Sequence, residues 1–244
     1  MKAGVFIAVL VCACAKMVRS DSVPFITPCY AKDRACLRSS AQRALPAIAA
    51  GLPGLGVRSL DPMLVERVLA SQAGLSMDFT NTTVRGLRHC RVLDVQMRDV
   101  GRRRGREMSV ELQCSVVLEG DYHLDGRLLL FPIQGKGPYK IIIRDIVVKV
   151  TLDTGERVAD GHHYWTVLGW KHSAHVLTNV HYRFDNLFNG DKGLAQTVTR
   201  FANSNWRNIF NELSPPIVKA IVAKIVRETS KLFDRVPIRE LSLD

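Results

Sequence analysis

The sequence predicts an α+β protein in which an antiparallel sheet is followed by helices. Three observations carry this. Over residues 76–182 apolar residues alternate with polar ones or gather into β-branched runs, the pattern of strands. Turn signals interrupt these runs at short intervals, and short connections between neighbouring strands imply an antiparallel meander. After Asn189 the apolar period becomes helical, and strands followed by helices imply α+β rather than parallel α/β. The bulk composition agrees. Hydrophobic residues make up 47% and charged residues 23% of 244, which excludes a disordered chain. The length suffices for a sizeable core without staples.

Residues 1–20 read as a secretory signal. Lys2 supplies the positive start, residues 3–14 are small or apolar, and Ala13-Cys14-Ala15 and Val18-Arg19-Ser20 both fit cleavage sites, after Ala15 or Ser20. The run is too short for a bilayer core of ~30 Å. Arg144, Asp145 and Lys149 break the best later apolar stretch, so an integral membrane protein is not expected. The expected mature chain, residues 21–244, is exported, and its length suits one large domain or two small ones. Cleavage after Ser20 removes three cations from a net charge of +11, leaving +8, and leaves four of the six cysteines. Four cysteines in an oxidising compartment suggest two disulfides, with three pairings to choose from. Cys29 and Cys36 are close in sequence, and a small closed loop is the economical reading. Zinc is the competing one, but no CxxC or paired His completes a site. Cys90 and Cys114 would then pair across a hairpin centred on Arg102. Leu93, Val95 and Met97 have the opposite parity to Cys90, and a bulge would reconcile them.

Residues 33–50 read as a helix, because Cys36, Leu37, Ser40, Ala44, Leu45, Ile48 and Ala49 recur at helical spacing. Gly51-Leu52-Pro53-Gly54-Leu55-Gly56 ends it, with the wrong glycine order for a dinucleotide loop. Leu60-Asp61-Pro62-Met63 reads as a turn, with the Pro placed to open a short helical turn. Residues 110–118 alternate cleanly against Ser109, Glu111, Gln113, Ser115 and Glu119. Tyr122, Leu124, Leu128 and Leu130 continue one face of the next strand, and residues 139–152 are rich in β-branched side chains. Turns are expected at Gly101–Gly105, Gly135–Gly137, Asp153-Thr154-Gly155 and Asp160-Gly161. Asn189-Gly190-Asp191 supplies a turn and an N-cap for a helix with the stripe Val198, Phe201, Ala202, Ile209 and Leu213. Ser214-Pro215 restarts a helix, Ser at the cap, with the stripe Ile217, Ile221, Ile225, Thr229, Leu232 and Phe233.

Catalytic signatures are missing: there is no GxSxG, HExxH, Walker A or mature CxxC, so no enzyme, cofactor or metal is expected. Gly135-Lys136-Gly137 lacks the rest of a P-loop and reads as a tight turn. His162, His163, His172, His175 and His181 crowd one region, but no nearby Cys or Glu completes a metal set, so they read as surface or rim residues. Arg102, Arg103, Arg104 and Arg106 mark the hairpin tip, read as a solvated tip or as a contact for a receptor or anionic surface. Nucleic acid is not expected, because aromatic residues do not interleave there. Asn81-Thr82-Thr83 is an N-glycosylation sequon. What remains is apolar. Val110, Leu112, Val116, Leu118, Leu128, Leu130, Ile146, Val148, Ile221, Ile225 and Phe233 are the inward positions of strands and helix. They could line a ligand cavity or fill a dry core, and composition does not separate the two.

These residues carry a resemblance. Pro28-Cys29 with Cys36-Leu37, then Gly51-Leu52-Pro53, Leu60-Asp61-Pro62-Met63, Phe79 and Asn81 ahead of Gly86-Leu87 form an N-terminal signature. Tyr122, Gly126 and Leu128-Leu129-Leu130-Phe131-Pro132-Ile133 with Gly135 and Gly137 form a central one. Asn186-Leu187-Phe188-Asn189-Gly190-Asp191-Lys192, Asn205-Trp206, Ile209, Glu212, Pro216, Phe233, Val236-Pro237 and Leu241 complete it. Together they resemble the takeout and haemolymph juvenile-hormone-binding protein family of insects, and the C-terminal motif is closer to the takeout branch. The resemblance implies a long C-terminal helix wrapped by a strongly curved antiparallel sheet around an apolar tunnel. It implies a secreted carrier or sensor of small hydrophobic ligands such as terpenoid hormones, fatty acids or odour-like molecules, without catalysis or cofactor, and the mature chain is expected to be a monomer with a single domain. Relatives have feeding, circadian and chemosensory roles. The Cys29–Cys36 loop matches the family's N-terminal disulfide, whereas Cys90 and Cys114 depart from its common pattern.

Overall fold

A computed structural model describes residues 23–100, 105–129 and 131–244. The expected signal segment, Leu130 and the tip residues Arg102, Arg103 and Arg104 lie outside the described residues.

Helix α1 (Arg34–Ala50) starts where Asp33 accepts a hydrogen bond from the Cys36 N–H at 3.0 Å, and stops at Gly51, whose φ is +92°. Gln42 docks it on the sheet: its amide donates to Cys90 O at 3.2 Å and accepts from Val92 N at 2.8 Å. The helical turn expected at Pro62 does not form. Asp61 is buried, and its carboxylate accepts from the Gly86 and Arg88 N–H groups at 3.1 and 2.9 Å. That contact holds the segment against the turn after the second strand, and pairing begins at once, Met63 opposite Val84.

The strands are β1 (Met63–Gln72), β2 (Leu75–Arg85), β3 (Arg91–Val100), β4 (Gly105–Leu128), β5 (Phe131–Ala159) and β6 (His162–Phe184), all paired antiparallel. β1 precedes the start expected from periodicity, because exposed Leu64 and Leu69 spoil its alternation. The order β1-β2-β4-β5-β6 is a meander with one departure: β3 pairs β4 beside residues 105–113, while β2 pairs residues 117–126. Val92 faces Leu112 and Asp94 faces Glu111, so Leu93 is bulged. The parity change reconciles the apolar face with the Cys90–Cys114 disulfide, whose Cα atoms are 4.4 Å apart. The second disulfide is Cys29–Cys36.

Two expected turns are strand. β5 runs unbroken through Gly135–Gly137, and glycine is needed there for a close approach. A Cβ on Gly135 would lie 2.9 Å from Leu187 Cα, and one on Gly137 2.7 Å from Asp185 O. Tyr122 donates to Asp185 O at 2.7 Å and Asn186 to Lys136 O at 3.0 Å, fastening the crossing segment. Asp153-Thr154-Gly155 is also strand: Asp153 pairs Gly169 and Thr154 pairs Val167, so Leu168 bulges outward. Asp160-Gly161 is the turn that joins β5 to β6, with φ +51° and +73°. Irregular register also occurs at 80–83, 114–116 and 144–146. Bulges bend strands and increase twist, and the sheet curls until its edge strands β1 and β6 both touch one helix.

That helix is α4 (Pro215–Phe233), preceded by α2 (Lys192–Ser204) and α3 (Trp206–Leu213) and followed by α5 (Ile238–Leu241). Asp191 caps α2 by accepting from Leu194 N at 3.0 Å. The stripe expected on one helix belongs to two, because Asn205 leaves helical backbone and folds its amide onto Phe201 O at 2.9 Å. Ser214 precedes Pro215 but makes no side-chain cap, its backbone being already helical. Val218, Val222, Val226, Glu228 and Leu232 are the buried residues of α4, while Ile217, Ile221 and Ile225 are only partly buried.

Candidate functional site

Those isoleucines face cavities between α4 and the sheet. Three compartments follow one another along α4. The first, about 80 Å³, lies toward Ile217 between α2–α3, Leu75, Phe79 and Tyr182. The middle one, about 150 Å³, lies between Ile225 and the inward residues of β4 and β5. The third, about 250 Å³, lies toward Phe233, under α1 and against Trp165. Apolar side chains dominate all three.

The ten described pocket candidates all fall on these walls. Leu128 lines the first compartment, and Leu118 and Ile221 line the first and the middle. Leu112, Val116, Ile146, Val148 and Ile225 line the middle one. Val110 lines the middle and third, and Phe233 the third. Sequence reasoning missed the walls from β2 and β6, such as Met77 and Val180, and those from α1, such as Leu37 and Ala44. Strand parity could have found the first pair. The α1 pair had a signal in helical spacing, but nothing local says that α1 lies over α4.

Two hydroxyls on the cavity walls are bonded to backbone. Thr229 donates to Ile225 O at 2.9 Å and Ser40 to Thr27 O at 2.8 Å. Burial pushes the Tyr182 hydroxyl above its ordinary value, and raises that of Tyr139, bonded to Thr82 at 2.7 Å, to about 12. These hydroxyls are neutral at physiological pH. Burial first, and then the charge of Lys219, lowers the pKa of His172, which sits beside Trp170 on β6. His163 pairs with Glu156, and His175 and His181 are exposed. Among the described residues no group of three or more His, Cys, Asp or Glu could hold a metal.

The basic-tip reading needs a correction at Arg106. Its side chain is only 15% exposed and pairs with Asp99 at 3.2 Å and Asp244 at 3.5 Å. The C-terminal segment lies against it: Arg106 Nη1 donates to Ser242 Oγ at 3.4 Å, and the neighbouring Leu243 N donates to Cys29 O at 3.1 Å. Arg106 thus fastens the C-terminal segment instead of facing an external surface. Asn81 is exposed at the β2 bulge with φ +52°, and Thr82 points inward. Among the described residues no helix is long and apolar enough to cross a membrane.

A curled antiparallel sheet closed on one helix, with apolar cavities along that helix, defines an α+β cavity protein. The chain belongs to the haemolymph juvenile hormone binding protein (JHBP) family, whose sequence pattern matches residues 6–243. It is similar to the circadian clock-controlled protein daywake of Drosophila melanogaster, 25% identical over 87% of this chain and 85% of that protein. A juvenile hormone-binding protein of Manduca sexta is 29% identical over 33% of this chain and 36% of that one. The crystal structure of Takeout 1 from Epiphyas postvittana superposes with a TM-score of 0.85 at 26% identity, over 90% of this chain and all of that one.

Proposed function

We propose that this protein is a secreted, non-enzymatic carrier of a small hydrophobic ligand, a terpenoid or fatty-acid-like lipid, held between α4 and the curled sheet. The observation that carries this is the run of apolar compartments along α4. A lipid gains about 0.8 kcal/mol per methylene moved out of water. Such binding needs no charged partner, in keeping with the missing catalytic motifs. Family membership supports the reading, and two disulfides support passage through an oxidising compartment. The signal segment at residues 1–20 would direct that export, and Asn81 would carry the glycan.

Native mass spectrometry of protein secreted from a eukaryotic host tests this, followed by solvent extraction. A stoichiometric apolar adduct is expected, with loss of residues 1–20 and a glycan at Asn81 read from the same spectrum. An adduct-free protein that takes up no fatty acid or terpenoid offered afterwards would overturn the carrier reading.

A further inference from the structure

The apolar space is divided by two partitions of different construction. The first and middle compartments share Leu118 and Ile143 from the sheet and Val218 and Ile221 from α4. The middle and third share Val110, Leu152 and Thr229. Three of the four residues in the first partition, Leu118, Ile143 and Val218, are buried in the core, Leu118 and Ile143 at 2% and 6% exposure. The three residues of the second partition, Val110, Leu152 and Thr229, are only partly buried, and Leu152 can turn aside about two torsions.

Volume points the same way. No compartment alone reaches the ~300–1,000 Å³ usual for small-ligand sites, whereas the middle and third together do. The first is too small to add much beyond a stiff wall.

We infer that the middle and third compartments form one ligand chamber, that the Leu118–Ile143–Val218–Ile221 partition is its end wall, and that Ile221 sets the longest apolar chain accepted. The inference rests on the carrier reading and adds a length limit and the residue that imposes it. The ligand is an apolar chain with one end against Ile221. Each added methylene strengthens binding until the chain reaches the wall, and further methylenes add nothing.

The test displaces a fluorescent apolar dye with saturated fatty-acid methyl esters from octanoate to stearate. It compares wild type, Ile221→Ala and Ile221→Phe, each first checked for a cooperative thermal transition. In the wild type, affinity should rise about fourfold per methylene and then level off. Ile221→Ala should extend the rise by about two methylenes, so the longest esters gain roughly fifteenfold while the shortest change little. Ile221→Phe should end the rise earlier, which keeps the test open should the alanine variant not fold. Levelling at the same chain length in every folded variant would overturn the end wall, as would an equal change at all lengths. Failure of every ester to bind wild type would overturn the chamber as a site for apolar chains, and failure of a terpenoid offered in the same assay would overturn the carrier reading with it.

Discussion

Glu228 is 1% exposed on α4, and no periodicity argument would place a carboxylate there. Its Oε2 accepts from the Arg58 N–H at 2.9 Å and from Lys231 Nζ at 2.5 Å. Burial alone would raise its pKa, but the Lys231 and Arg58 hydrogen bonds and their charges outweigh it, and the carboxyl is held below its ordinary 4.5. A carboxyl whose pKa is lower folded than unfolded adds stability that is fully present above the unfolded value and is lost as pH falls through the folded one. Glu228→Gln keeps the shape and removes the charge. It should cost about 1–3 kcal/mol at neutral pH, the range for a charged hydrogen bond broken in the interior. The difference from wild type should shrink once the pH drops below the glutamate range. Urea unfolding of both proteins at neutral pH and at about pH 3 measures it. A penalty of the same size at both would show that the charge is not what Glu228 contributes.

Among the elements, the two disulfides close loops of different length, with sequence separations of 24 for Cys90–Cys114 and 7 for Cys29–Cys36. On the chain-entropy account the longer loop is worth about 3.5 kcal/mol and the shorter about 2.5 kcal/mol. The paired Cys90→Ala/Cys114→Ala variant should therefore unfold at lower denaturant than Cys29→Ala/Cys36→Ala. The reverse order would mean that the small N-terminal loop carries native contacts beyond its closure. The Cys90–Cys114 pairing was legible because Gly101 and Gly105 centre the hairpin, and the parity conflict at Leu93 announced the bulge. Other elements misled for physical reasons. Gly135 and Gly137 read as a turn because glycine usually marks one, but here glycine answers to backbone at 185–187, distant in sequence and invisible to local spacing. The α4 stripe was legible as apolar, and its Leu232 is buried, yet between residues 217 and 226 the valines lie deeper than the isoleucines. Inward residues of β4, β5 and α4 could be found from parity and helical spacing. The α1 wall of the third compartment could not, because Gln42 sets it through Cys90 and Val92 across the fold.

At the scale of the whole molecule, the cavity exists only when the sheet has curled far enough for both edge strands to meet α4. Lys224 Nζ reaches Leu64 O across the β1 seam, and β6 closes the other side. Walls from α1, β4, β5, β6 and α4 come together only in the folded chain, so a cavity ligand binds the native state and not the unfolded one. Binding and stability are then linked: ligand at a hundredfold excess over its Kd adds about 2.7 kcal/mol. For a chain of this size each kcal/mol moves the transition by about 2–4 °C, so saturation should raise Tm by roughly 5–10 °C. Trp165 supplies a second readout, because it lines the third compartment and meets the Phe233 ring edge-on at 5.8 Å. Its fluorescence should change over the same concentrations that raise Tm, and Trp165→Phe should lose that optical signal while keeping the thermal shift. A thermal shift without any Trp165 response would place the ligand away from the third compartment. A Trp165 response with no thermal shift would mean that the ligand reaches the indole without filling space that only the folded chain encloses.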